Sequence, residues 1–158
     1  MRYAEQTSVS ADKSRAEIER TLERYGATSF MYGWQENSAV IAFQMADRHV
    51  RFVLKMPDKT SEEFTLTPSK KYYRDEEAAL KAWEQATRQR WRALALAVKA
   101  KLEAVEAEIA TFEQEFLAHI IMPDNRTVAE WVSPQIETAY VTGKMPKLLG
   151  SWGGDESK

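Results

Sequence analysis

One stretch constrains this chain more than any other. From Asp75 to Ile121 there is no glycine and no proline, and Ala, Leu, Glu, Lys, Gln and Arg dominate. These residues lose little side-chain freedom in a helix, so the stretch predicts one very long helix over 75–121. Asp75 is placed to cap its start, with Glu76 and Glu77 in the first turn. Leu80, Trp91, Leu94, Val98, Leu102, Val105, Ile109, Phe112 and Phe116 fall on one stripe. A straight helix of this length would reach roughly 70 Å, whereas a domain of this size is only about 40 Å across. The helix must therefore break, bend, or project and pair. Self-association through the stripe is the simplest cover for it.

The rest of the chain predicts an α+β fold. Ser10 and Gly26 bracket an N-terminal helix with Ile18, Leu22 and Tyr25 on its buried face. Three segments follow: 28–34, 38–45 and an alternating 49–56 in which Val50, Phe52, Leu54 and Met56 share one face. Short turns at Gln35-Glu36-Asn37 and Asp47-Arg48 make them an antiparallel meander. Glu63–Thr67 offers a fourth, edge strand, so the sheet region is 27–67, with three or four strands. Thr127-Val128-Ala129-Glu130 is a capping-box pattern that opens a C-terminal helical arm over 127–142, ending at Gly143. Residues 1–149 form one domain and 150–158 a flexible tail.

Composition narrows the function classes. The 158 residues contain no cysteine, which excludes disulfides, thiolate nucleophiles and cysteine-ligated zinc. No segment is apolar for long enough to span a membrane, and the N-terminus has no apolar signal core, so a cytoplasmic protein is expected. Phosphate-binding glycine loops, nucleophile elbows and HExxH are missing. His49 and His119 lie on different elements without acids at ligand spacing. No cofactor or metal is expected, and the chain reads as non-enzymatic unless distant carboxylates assemble a site.

Charge is unevenly spread along the chain. Residues 48–101 hold 13 Lys/Arg and 7 Asp/Glu, while residues 102–158 hold 4 and 10. On the long helix, Lys81, Arg88, Arg92 and Lys99 lie within about 40° of one another, some 100° from the apolar stripe. Such a row could follow the phosphates of a nucleic acid, or be a solvated or self-paired face. Arg51 and Lys55 share a face of the third strand. Lys70, Lys71, Tyr72, Tyr73 and Arg74 combine cations with rings able to stack on bases, unless the tyrosines pack against the helix start. Phe30, Tyr32 and Trp34 form either a stacking platform or core. The acids Glu103, Glu106, Glu108, Glu113 and Glu115 could meet a basic partner or a second copy.

Met1-Arg2-Tyr3-Ala4, Arg88 to Glu106, Phe112 to Ile120 and Thr127 to Leu149 resemble a family of small proteins of tailed bacteriophages and prophages that has no assigned catalytic residues. The resemblance implies expression in a bacterial host cytoplasm during infection. The order of helix, three strands and long helix is also similar to phage single-strand annealing proteins, at the level of fold only. Two functions follow as expectations. The first is nucleic-acid binding, single-stranded DNA favoured, in recombination or replication. The second is an anti-defence inhibitor or adaptor that contacts a host nuclease or CRISPR-type complex.

Overall fold

The computed structural model describes residues 4–146. The expected tail at 150–158 and the end of the domain at 149 lie outside these residues. Ser10 caps α1 (Ala11–Arg24) by accepting from the Lys13 N–H, and α1 buries Ile18 and Leu22. Its C-terminal turn closes at Gly26, where a φ of +98° suits a residue without a β-carbon.

Three strands follow as an antiparallel meander: β1 (Ser29–Gln35), β2 (Ser38–Met45) and β3 (Arg48–Lys55), in the order β1-β2-β3. β3 alternates as expected, and β2, legible only as an apolar run, alternates too, turning Ala39, Ile41, Phe43, Met45, Val50 and Phe52 into the core. α1 and the long helix α3 (Glu76–Glu106) cover that face of the sheet. The other face stays open, with Met31 and Val53 exposed. The expected fourth strand at 63–67 does not form. Ser61 caps a single helical turn, α2 (Glu62–Thr65), which buries Phe64, and only an isolated bridge joins Leu66 to Tyr73.

The long helix begins at its expected cap, Asp75, whose carboxylate accepts from the Ala78 N–H. It ends at Glu106, not at Ile121. The chain turns through Glu108 in the left-handed region, φ +58°, and restarts at α4 (Phe112–Phe116). Thr111 and Gln114 complete a capping box there. The left-handed glutamate costs roughly 1–2 kcal/mol, and a few lost helical residues cost at most about 0.7 kcal/mol each. Folding back buries Phe116 against Phe43 and Phe52, with ring centroids 5.8 and 6.3 Å apart, and brings Ile120 into the core. Each such burial contributes about 1.5–3 kcal/mol, and the cap adds about 1 kcal/mol. Packing wins over propensity.

Most of the apolar stripe of α3 is used inside the chain: Trp91, Leu94, Val98 and Leu102 are buried in its own core, while Leu80 stays 42% exposed. That leaves little of the stripe for a partner to cover. Beyond α4, a short 3-10 turn (Leu117–His119) leads to Ile120 and Ile121, which lie along the free side of β3; the Ile121 N–H donates to the His49 carbonyl at 2.8 Å. The chain then enters α5 (Val128–Thr142), capped by Thr127 and Glu130 at one end and by left-handed Gly143 at the other.

Candidate functional site

The expected basic row lies along the seam between α3 and α1. Gln85, in line with it, donates to the backbone carbonyls of Glu5 and Thr7 at 3.2 and 3.0 Å. Arg88 folds onto the Gln85 side-chain oxygen at 2.5 Å. Arg92 forms an ion pair with Glu17 of α1 at 2.5 Å. Glu103, further along, accepts from the Tyr25 hydroxyl at 2.8 Å, which raises the tyrosine pKa. Lys81 pairs with Glu77 one turn earlier, and Lys99 is exposed. Of the four cations Arg92 ties α3 to α1; Arg88 is held on its own helix, and Lys81 and Lys99 are exposed.

The other expected site residues divide. Arg51 anchors the C-terminal arm: its guanidinium donates to the Asn125 carbonyl at 2.8 Å and pairs with Glu130 at 3.4 Å. Lys55 is exposed at the end of β3. In the 67–74 loop, Lys70 adopts φ +55° and the Thr67 N–H donates to the Tyr72 carbonyl. Tyr72 and Tyr73 are not buried against the helix start; both rings are largely exposed to solvent, and Tyr73 only borders the first turns of α3. Tyr73 and Arg74 line a shallow cleft with Leu66 and Ala79. The acidic half of the chain is largely engaged internally, through Lys101–Glu115 and Arg48–Glu113.

The most developed surface feature is an aromatic cleft of about 370 Å³ between the end of β1 and the first half of α3. Tyr32, Trp34, Trp83 and Trp91 line it. Trp91 is the buried floor and meets Tyr32 edge-on, with centroids 5.7 Å apart. Trp83 forms one wall, fixed by its indole N–H donating to the Pro57 carbonyl at 2.8 Å. Trp34 forms the lip and is 75% exposed. Two cations sit on the rings: Lys59 Nζ lies 4.2 Å from the Trp83 centroid and the Arg15 guanidinium 4.3 Å from that of Tyr32.

Two acids, Glu36 and Asp58, also line the cleft. Asp58 accepts from the Thr60 N–H and hydroxyl, and these bonds lower its pKa. These acids offset Lys59 and Arg15, so the cleft has no excess of positive charge to draw in a phosphate, whereas its rings offer stacking faces to a flat neutral one. The 57–60 turn separates this cleft from the one at Tyr73, so the two are neighbours. A larger cavity of about 530 Å³, lined by Ala4, Pro57, Phe64 and Arg90 among others, lies on another side of α3. Among the described residues it has less of this chemistry: Phe64 is its one aromatic lining residue and Arg90 its one cation.

Tyr32, Trp34 and Trp91 stand out in the sequence as aromatic residues, but Trp83 does not. Its signal was the spacing Trp83-Thr87-Trp91, two helical turns on one face. Nothing local says that the end of β1 packs opposite that face. His119 stacks on Phe52 at 4.0 Å, and burial, then the nearby Lys101, lower its pKa, which is the behaviour of a packed histidine. Among the described residues, no three His, Asp or Glu side chains converge as metal ligands, and no helix is long and apolar enough to cross a membrane. No family model matches the chain, and neither the curated proteins nor the solved structures contain a significant match.

Proposed function

We propose that this chain is a non-enzymatic binder of single-stranded nucleic acid that stacks bases in the cleft of Tyr32, Trp34, Trp83 and Trp91. On the phage resemblance of its sequence, the role we assign is in DNA recombination or replication. The observation that carries the reading is Trp34, an indole three-quarters exposed at the mouth of a cleft already walled by three further rings. An exposed ring beside other rings offers stacking to any base, and cations outside the cleft can follow the backbone. Lys55, Lys70, Lys71 and Arg74 are available for that purpose, and the exposed Tyr72 and Tyr73 extend the stacking surface past the 57–60 turn.

The test is anisotropy of a labelled oligo-dT across a salt series, with wild type and Trp34→Ala. Trp34 contributes little to the core, so the variant folds. Loss of one base stack costs about 1–3 kcal/mol, a weakening of roughly 5- to 150-fold. The salt slope stays the same, because no cation is removed. Absence of binding at low salt, or equal affinity of the variant, overturns the reading.

A further inference from the structure

The two edges of the sheet are treated differently by the fold. The free side of β3 is covered: Ile120 bridges to Val50, and the Ile121 N–H donates to the His49 carbonyl. Among the described residues, no strand or bridge lies along the free side of β1. Natural edge strands are usually guarded by charge, proline or a bulge. β1 reads Ser-Phe-Met-Tyr-Gly-Trp-Gln, with neither charge nor proline, and pairs with β2 through seven consecutive residues without interruption. All of its residues but Phe30 are exposed.

The hydrogen-bonding phase of that edge follows from the hairpin. Gln35 and Ser38 close a two-residue turn, so their pair exchanges both main-chain bonds, and alternate pairs do the same. Ser29, Met31, Gly33 and Gln35 therefore face β2. The N–H and C=O groups of Phe30, Tyr32 and Trp34 point to the open side. A strand that docks there must offer its own free groups at the same spacing.

We infer that the occupant of this edge is β1 of a second copy, paired antiparallel about Tyr32 so that two sheets join into one. The sequence is self-complementary in that register. Tyr32 meets Tyr32 of the second copy, and Phe30 meets Trp34, at the positions whose main-chain groups are free; this gives about six new hydrogen bonds per dimer. Met31 meets Gly33, where a β-carbon would contact nothing within 4 Å, so the long side chain has room. Ser29 meets Gln35. No like charges oppose one another.

Shape agrees with this register. α1 flanks the first half of β1, with Glu19 and Glu23 beside Ser29 and Phe30, and Arg15 over Tyr32. The half at Trp34 borders the aromatic cleft, with Trp83, Thr87 and Trp91 of α3 across from it. Antiparallel pairing sets the half of each strand beside α1 against the half of the other beside the cleft. The two-fold axis makes the contact close on itself, which yields a dimer rather than a fibre. Two seven-residue strands bury on the order of 1,000 Å², the low end for specific interfaces, so a reversible dimer in the micromolar range follows.

Trp34 belongs to both the aromatic cleft and this contact, so the test uses Met31 and Gly33, which lie on the opposite face of the sheet. The chain has no cysteine of its own. In the proposed register, Met31→Cys of one copy faces Gly33→Cys of the other in a non-hydrogen-bonded pair, with α-carbons about 4.5 Å apart, within disulfide range. The double variant, mildly oxidised, gives a covalent dimer in most chains, while each single variant stays largely unlinked. Sedimentation of the unmodified protein gives a mass that rises toward two copies with concentration. A monomer at every concentration, or single variants that cross-link as readily as the double one, overturns the inference. Neither outcome depends on whether nucleic acid binds.

Discussion

α1 and α5 are nearly equal in length and opposite in fate. α1 has 14 residues, of which only Ala11, Ala16, Ile18 and Leu22 are apolar, yet Ile18 and Leu22 are sealed in the core. α5 has 15 residues, more than half of them apolar, and buries none. Ile136, Tyr140 and Val141 face solvent. Apolar content alone does not decide burial; position in the chain's path does. α1 leads directly into the sheet and lies against α3, whereas α5 starts only after the chain has passed the free side of β3. It also carries Pro134 in its interior, which removes one helical hydrogen bond. What holds α5 is polar and concentrated at its first turn: the Thr127–Glu130 box, the Arg51 bonds to Asn125 and Glu130, and Asp124 accepting from the Trp131 indole at 2.7 Å.

The sharpest way to break the comparison is a truncation in α1. Leu22→Ala opens a cavity in a fully buried position and is expected to cost about 2–5 kcal/mol by denaturant unfolding. A loss under 1 kcal/mol would mean that α1 is not part of the cooperative core. The sequence foresaw this half of the molecule well. Ser10, Gly26, Ile18 and Leu22 are local signals, as are the alternation of β3 and the caps at Asp75 and Thr127. The break at 107–111 left one local trace, the Thr111–Gln114 box, in a composition that otherwise favours helix; what decides it is the contact of Phe116 with Phe43 and Phe52, more than 60 positions earlier in the chain. The site suffered similarly. The angular spacing of Lys81, Arg88, Arg92 and Lys99 was legible, but not that Glu17 would come from another helix to claim Arg92.

A gentler probe addresses the anchor of α5. Bonds from the Trp131 indole, then from Arg126, lower the Asp124 pKa from 3.8 to about 2. A carboxylate depressed in the folded state contributes stability in full above its unfolded pKa and loses it as pH falls through the folded value. The anchor is therefore complete above about pH 4 and loosens as pH falls toward 2. The indole N–H resonance of Trp131 should titrate with a midpoint near 2, while α1 resonances respond to other groups. In Asp124→Asn that transition should vanish. Its persistence would show that another carboxylate holds the arm.

The smallest expected effect sharpens the comparison most. A large aromatic residue removed from a core costs about 3–5 kcal/mol. Tyr140 has the bulk for such a role but is 89% exposed, and among the described residues its neighbours in the surface groove are those of its own helix. Tyr140→Ala should change global stability by no more than about 0.5 kcal/mol, the range of ordinary surface substitutions. Alanine is also the better helix former, so the sign can even favour the variant. Measured at low protein concentration, this value isolates the single chain. Leu22→Ala and Tyr140→Ala then differ several-fold in effect although the tyrosine is the larger residue, and accessibility rather than size accounts for it. A loss above 1 kcal/mol at Tyr140 that grows with protein concentration would show that α5 is covered in solution by another copy, and the contrast with α1 would belong to the isolated chain alone.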